Sequence, residues 1–174
     1  MFDKFVPDIY EKSIYTIDYK LLKKRGIKCL IFDLNNTIAS HNLKKPNKKL
    51  KDLFEELKDM KFKIIILSNE TKKRVEPFKD NLGVDSAYFS MKPLKRKYKK
   101  VLKLYSYKDT EIACIGDQLV TDIIGANRMG FTSILVNPIS TNEYVATRVS
   151  RYFENFIIKH LTKGKLLKRG KYYD

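Results

Sequence analysis

Between Ile27 and Val136 the chain switches repeatedly between two patterns. Short, nearly continuous apolar runs read as buried strands, and longer segments with apolar residues every three or four positions read as helices. The runs are Ile27–Asp33, Phe62–Leu67, Ala87–Ser90, Glu111–Ile115 and Ser133–Val136. The helical stretches are Pro46–Met60, with Leu50, Leu53, Phe54 and Leu57 on one face, Thr71–Leu82, which holds Pro77, Leu94–Tyr105, with Val101, Leu102 and Tyr105 inward, and Leu119–Met129, closed by Gly130. Strict alternation of this kind predicts an α/β fold: a three-layer, Rossmann-like, mostly parallel sheet of five strands, covered on both faces.

The ends of the chain depart from this pattern. Residues 1–26 read as an irregular arm with a short helix, Asp18–Lys24, stopped by Gly26. Residues 27–140 form the predicted core. Residues 141–174 read as a basic amphipathic helix and tail, packed on the core or extending from it. Over Asn142–Leu161 the residues Val145, Val149, Phe153, Phe156, Ile157 and Leu161 share a stripe, with Arg148, Arg151 and Lys159 off it. Lys163, Lys165, Lys168, Arg169 and Lys171 follow. One reading packs the stripe on the core and leaves a frayed basic end. The other lays the helix on an anionic membrane surface.

Composition narrows the function classes. A length of 174 residues suits one domain with a full core. The hydrophobic share of 43 % is that of a globular chain, which argues against disorder. No apolar run approaches the ~20 residues of a membrane span, and the first residues lack a secretory pattern, so the expected location is cytoplasmic, with peripheral contact at the inner face of the membrane as its extension. Cys29 and Cys114 fall inside predicted strands and read as small core residues rather than a disulfide or metal pair. The net charge of +16 attracts polyanions. Lysine-rich composition alone can produce that field, and no aromatic-basic repeat offers base recognition, so nucleic acid is an unlikely partner. Oligomeric state is unconstrained.

Candidate chemistry sits where predicted strands end. The first gives Asp33, Asn35 and Thr37; the second, Ser68 and Asn69; the segment after the third, Lys92; the fourth, Asp117 and Asp122. In open α/β sheets the crevice outside the carboxyl ends of the strands is where ligands bind. An aspartate nucleophile, a hydroxyl, a lysine and a carboxylate pair together describe phosphoryl transfer through an aspartyl-phosphate. Mg²⁺ suits such an all-oxygen set. Taken singly, each residue also has an ordinary reading: Asp33 and Asp117 as loop or cap residues, Ser68 and Asn69 as a helix start, Lys92 as one more solvated lysine.

Asp33-Leu-Asn35-Asn36-Thr37 resembles the first motif of the haloacid dehalogenase (HAD) superfamily of phosphatases. Leu67-Ser68-Asn69 resembles its second, Lys92-Pro93 its third, and Gly116-Asp117-Gln-Leu-Val-Thr-Asp122 its fourth. The wording of the fourth motif, the Lys-Pro step and the basic C-terminal helix resemble the YqeG family of subclass IIIA phosphatases, which is related to phosphatidylglycerophosphate phosphatases. The resemblance implies an Mg²⁺-dependent phosphatase with Asp33 as nucleophile and Ser68, with Asn69 nearby, on the phosphoryl group. Lys92 would neutralise charge and hold Asp33. Asp33, Asp117, Asp122 and the backbone carbonyl of Asn35 would serve the metal, Asp122 through water or by orienting Lys92. The implied substrate is a phosphorylated one, with a lipid head group such as that of phosphatidylglycerophosphate as the specific expectation.

Two features qualify that reading. The intervals Asp33–Ser68 and Ser68–Lys92 hold no inserted cap domain, so the site is expected to be open and to accept a phosphate displayed on something large. Asn35 stands where these phosphatases normally carry an aspartate that protonates the leaving oxygen and then deprotonates water. An amide cannot exchange that proton, and loss of a general acid–base costs on the order of 10²–10⁴ in rate. Three outcomes stay open: a phosphatase whose proton comes from water or another side chain, a phosphate-binding module, or an inactive scaffold.

Overall fold

The computed structural model describes residues 3–140 and 145–174, with the backbone alone over 145–153. Six parallel strands make one open sheet, in the order β1 (Ile9–Glu11), β6 (Thr132–Val136), β5 (Ile112–Gly116), β2 (Cys29–Phe32), β3 (Lys63–Leu67), β4 (Asp85–Ala87). Alternate residues of the central strands face opposite layers. Leu30 and Phe32 join Ile64, Ile66, Ala113 and Ile115 on one side, and Cys29 and Ile31 join Ile65, Leu67, Ile112 and Cys114 on the other. Helices α1 (Tyr19–Lys24), α2 (Lys48–Asp59) and α3 (Lys72–Leu82) cover the first face through Leu22, Leu50, Phe54, Leu57, Val75 and Phe78; α4 (Lys95–Tyr105) and α5 (Ile124–Met129) cover the second through Tyr98, Val101 and Ala126. Both cysteines are buried and free, as their strand positions predict.

The α/β, parallel, layered architecture matches the expectation, with three local corrections. The sheet has six strands rather than five, because Ile9 pairs with Ile134 and turns part of the N-terminal arm into an edge strand. The third predicted strand lies earlier, at Asp85–Ala87, which leaves 88–94 as a loop. The fourth predicted helix opens with a π turn, Leu119–Ile123, in which the N–H groups of Asp122 and Ile123 both bond the Gln118 carbonyl.

The last helix, α6 (Val145–Lys163), docks on the core over its described side chains. Ile157 and Leu161 are buried with Tyr10, Leu119, Ile123 and Leu135, while Phe156, expected on the same stripe, is exposed. Asn142, predicted to open this helix, lies outside the described residues. The tail is not frayed: Tyr173 exchanges two backbone hydrogen bonds with Tyr10 (2.8 and 3.0 Å) and covers the β1 edge, and Leu167 is buried beneath it. Among the described residues no helix is long and apolar enough to cross a membrane.

Candidate active site

Strand order reverses between β2 and β5, and their carboxyl ends open the crevice that such a switch creates. The Asp33 N–H bonds the Ile115 carbonyl at 2.9 Å, which extends the ladder one residue past β2 and fixes the side chain over the crevice. The chain then turns back on itself. Leu34 O accepts from Ile38 and Ala39, and Asn36 adopts φ 62°, a left-handed conformation that asparagine tolerates better than most residues. This turn buries Thr37, whose Oγ1 donates to Asp117 Oδ1 at 3.0 Å.

The segment after β4 is tied to the end of β3. Ser68 N–H bonds Ala87 O, and Ser90 N–H bonds Ser68 O, both at 3.0 Å. Asn69 Oδ1 accepts from Ser90 Oγ (2.6 Å) and from the Lys92 N–H (2.8 Å). Side chains alternate along this segment: Ser90 and Lys92 point inward and are buried, Phe89 and Met91 point outward. Lys92 Nζ, buried, reaches Asp33 Oδ1 at 2.5 Å and Asp122 Oδ1 at 2.6 Å.

This buried ion triad sets the electrostatics. Burial pushes the Asp33 carboxyl up to about 6; the Lys92 charge pulls it back down and the Asp122 charge adds to the rise. Burial also works against the Lys92 ammonium, but Asp122 and Asp33 outweigh it and raise its pKa, so the lysine stays protonated.

Carboxylate oxygens of Asp33, Asp117 and Asp122 lie within 4.8 Å of one another. Gly116 makes the approach possible, because a Cβ there would sit 2.3 Å from the Asp122 carboxyl carbon. Gln118 N–H steadies Asp122 Oδ2 at 3.2 Å, as Thr37 steadies Asp117. Three converging carboxylates, two of them held by neighbouring donors, fit a hard divalent cation that prefers oxygen.

The wall of the site is built differently. Asn35 Nδ2 donates to Glu70 Oε1 at 2.6 Å, and its Oδ1 accepts from Arg74 Nε (3.0 Å) and Nη2 (2.9 Å). Arg74 also donates to the Leu43 and Ser40 carbonyls, stapling the 40–43 flap to α3. The amide is thus clamped between an acid and a guanidinium.

Asp33, Asn35, Ser68, Asn69, Lys92 and Asp122 meet around one cavity of about 280 Å³, together with His41, Glu70, Gln118 and Thr121. Asp117 lines a neighbouring cavity rather than this one, and its carboxylate approaches those of Asp33 and Asp122. Asn69 meets the cavity, while its amide oxygen holds the Ser90–Lys92 backbone. Glu70, Arg74, His41 and Ser90 are the neighbours that sequence reasoning missed. Glu70 had one readable signal, its place directly after Ser68-Asn69 at a strand end.

Comparison with known proteins identifies a family for the chain. A family model described as mitochondrial PGP phosphatase matches residues 2–140. The chain is 34 % identical over 159 residues to the probable phosphatase YqeG of Bacillus subtilis, covering 91 % of this chain and 92 % of that one. It is 24 % identical over 170 residues to phosphatidylglycerophosphate phosphatase 1, chloroplastic/mitochondrial, of Arabidopsis thaliana, covering 91 % of this chain and 49 % of the relative. Among solved structures, a hydrolase assigned to HAD subfamily III A from Legionella pneumophila has the same fold, with a TM-score of 0.50 at 20 % identity over 85 % of this chain and 91 % of that one.

Proposed function

Because this chain belongs to the mitochondrial PGP phosphatase family and shares its fold with a HAD hydrolase, we propose that it is a phosphatase acting on a phosphomonoester of phosphatidylglycerophosphate type, with Mg²⁺ as cofactor and Asp33 as nucleophile. The observation that carries this is the Asp33–Lys92–Asp122 triad at the switch point of the sheet.

Asp33 attacks phosphorus through the carboxylate oxygen that Lys92 does not hold, and the glycerol oxygen leaves with the bonding pair, giving an aspartyl-phosphate. Water then hydrolyses that mixed anhydride, releasing inorganic phosphate and restoring the carboxylate. Lys92 aligns Asp33 and, with the Ser68 hydroxyl, receives the phosphoryl oxygens as charge develops. Asp33, Asp117, Asp122 and the Asn35 backbone carbonyl would hold Mg²⁺, which supplies Lewis-acid polarisation of the phosphoryl group and screens it from the nucleophile. The cavity is sized for a phosphorylated head group rather than a whole lipid, and the acyl chains would remain outside.

The proton normally handled at position 35 needs another carrier. Glu70 lies one hydrogen bond from the Asn35 amide and lines the same cavity, and we assign it that role as a weaker carrier than an aspartate at position 35, because the amide holds its carboxylate. The test is Mg²⁺-dependent phosphate release from phosphatidylglycerophosphate in mixed micelles. Release by the native protein but not by Asp33→Asn supports the reading; equal release, or none, refutes it.

A second reading draws on the clamp itself. With Asn35 fixed between Glu70 and Arg74, the pocket could bind phosphate and metal without turning over. In that case equilibrium dialysis detects Mg²⁺-dependent phosphate binding, while native turnover stays at the Asp33→Asn level.

A further inference from the structure

The segment that carries Lys92 into the site has an outer face made of different material. Tyr88, Phe89, Met91 and Leu94 are 36, 55, 60 and 48 % exposed, four of the ten large apolar side chains exposed among the described residues. Phe89 and Met91 sit at φ 45° and 55°, a left-handed conformation costly for such side chains in water. The alternation that buries Ser90 and Lys92 is what turns Phe89 and Met91 out, so the apolar face backs directly onto the catalytic lysine. Helix α4 begins at once with Lys95, Arg96, Lys97, Lys99 and Lys100, and residues 88–105 contain no acid. Of these cations all but Lys97, which is half-buried, are exposed.

We propose that the outward side chains of the Tyr88–Leu94 loop, with the cationic first turns of α4, form a membrane-docking surface that seats the mouth of the catalytic cavity on an anionic bilayer. The chemistry is two-part: apolar side chains enter the acyl boundary while lysines meet anionic head groups. Charge complementarity selects an anionic bilayer, because the acid-free basic flank is attracted to anionic head groups and not to neutral ones. The loop also contains Lys92, so seating it brings a head-group phosphate to the site without extracting the lipid. The proposal rests on a lipid-borne substrate, and it moves the membrane contact from the C-terminal helix, whose described half is docked on the core, to the lip of the site.

The test is cosedimentation of the full chain with vesicles of phosphatidylcholine, with and without phosphatidylglycerol. The native protein is expected to pellet only with the anionic vesicles. Phe89→Asn with Met91→Asn, chosen because asparagine accepts positive φ, should weaken binding by about tenfold or more, since burial of one such side chain is worth a factor of that order. Lys99→Gln with Lys100→Gln, a second variant that leaves the loop intact, should weaken it severalfold at low salt. Unchanged vesicle binding in both variants overturns the proposal. So does loss of binding only in Phe156→Ser with Leu166→Ser on the C-terminal segment, or a native dimer that the loop variant abolishes. Binding to DNA that matches vesicle binding and ignores the loop substitutions would also overturn it. Turnover of a soluble aryl phosphate, measured in parallel, separates the two claims. Vesicle binding without turnover sinks the phosphatase reading alone, and turnover without vesicle binding sinks the docking surface alone.

Discussion

The floor and the wall of the cavity are built from the same kinds of residue and reach opposite ends. On the floor three carboxylates converge and one ammonium contacts two of them, at 2.5 and 2.6 Å, so charge is concentrated where a phosphoryl group would sit. On the wall there is also an acid and a base, Glu70 and Arg74, but the neutral Asn35 amide links them, taking two hydrogen bonds from Arg74 and giving one to Glu70. Concentrated charge favours a nucleophile and a cation. A neutralised, clamped amide favours rigidity and offers no proton. Under the proposed function the floor serves the first half of a phosphatase cycle, and the wall limits how a poor leaving group departs.

That contrast can be broken at several points. Asp33→Asn removes the proposed nucleophile and should take phosphate release to background, whatever the substrate; steady-state assay of an aryl phosphate checks it. Lys92→Met keeps the side-chain bulk but strands two buried carboxylates, and should cost about 3–5 kcal/mol of metal-free stability by chemical denaturation; Mg²⁺ should restore part of that loss, because the cation takes over the neutralisation. Arg74→Met removes the staple to the Asn35, Ser40 and Leu43 oxygens and should cost about 1–3 kcal/mol, with little effect on Mg²⁺ binding if floor and wall are separate.

The effect of pH probes the floor alone. With Asp33 near 6 in the folded protein against 3.8 for a free carboxyl, the folded state holds a proton that the unfolded chain has lost in that window. Stability from this group is present below about 3.8 and is lost as pH rises through about 6. Melting of the metal-free protein across that range checks the sign. In Asp33→Asn the dependence should vanish, and in the native protein Mg²⁺ should suppress it by favouring the carboxylate.

Much of the floor was legible in the sequence, because each residue ends a strand whose apolar run is easy to see. Phe32 before Asp33 and the Ile112–Gly116 run before Asp117 are buried outright, and parallel strands covered on both faces leave that signature. The wall was not legible. Glu70 and Arg74 stand 35 and 39 residues from Asn35, and nothing local couples them. Strand β1 escaped for a related reason: three residues carry no period, and Ile9 and Tyr10 are strand-like only because β6 and the returning Tyr173 bracket them. The π turn at Leu119–Ile123 kept the helical spacing that the sequence suggested while widening the backbone that carries Asp122.

The most direct test of the central claim is turnover of phosphatidylglycerophosphate and an aryl phosphate, with Mg²⁺, by the native, Asn35→Asp and Asp33→Asn proteins side by side. An aryl leaving group needs little protonation and a glycerol oxygen needs much. The account predicts that Asn35→Asp gains up to ~10²–10⁴ on the lipid and little on the aryl ester, with Asp33→Asn silent on both. Equal rates for all three proteins on both substrates would contradict it.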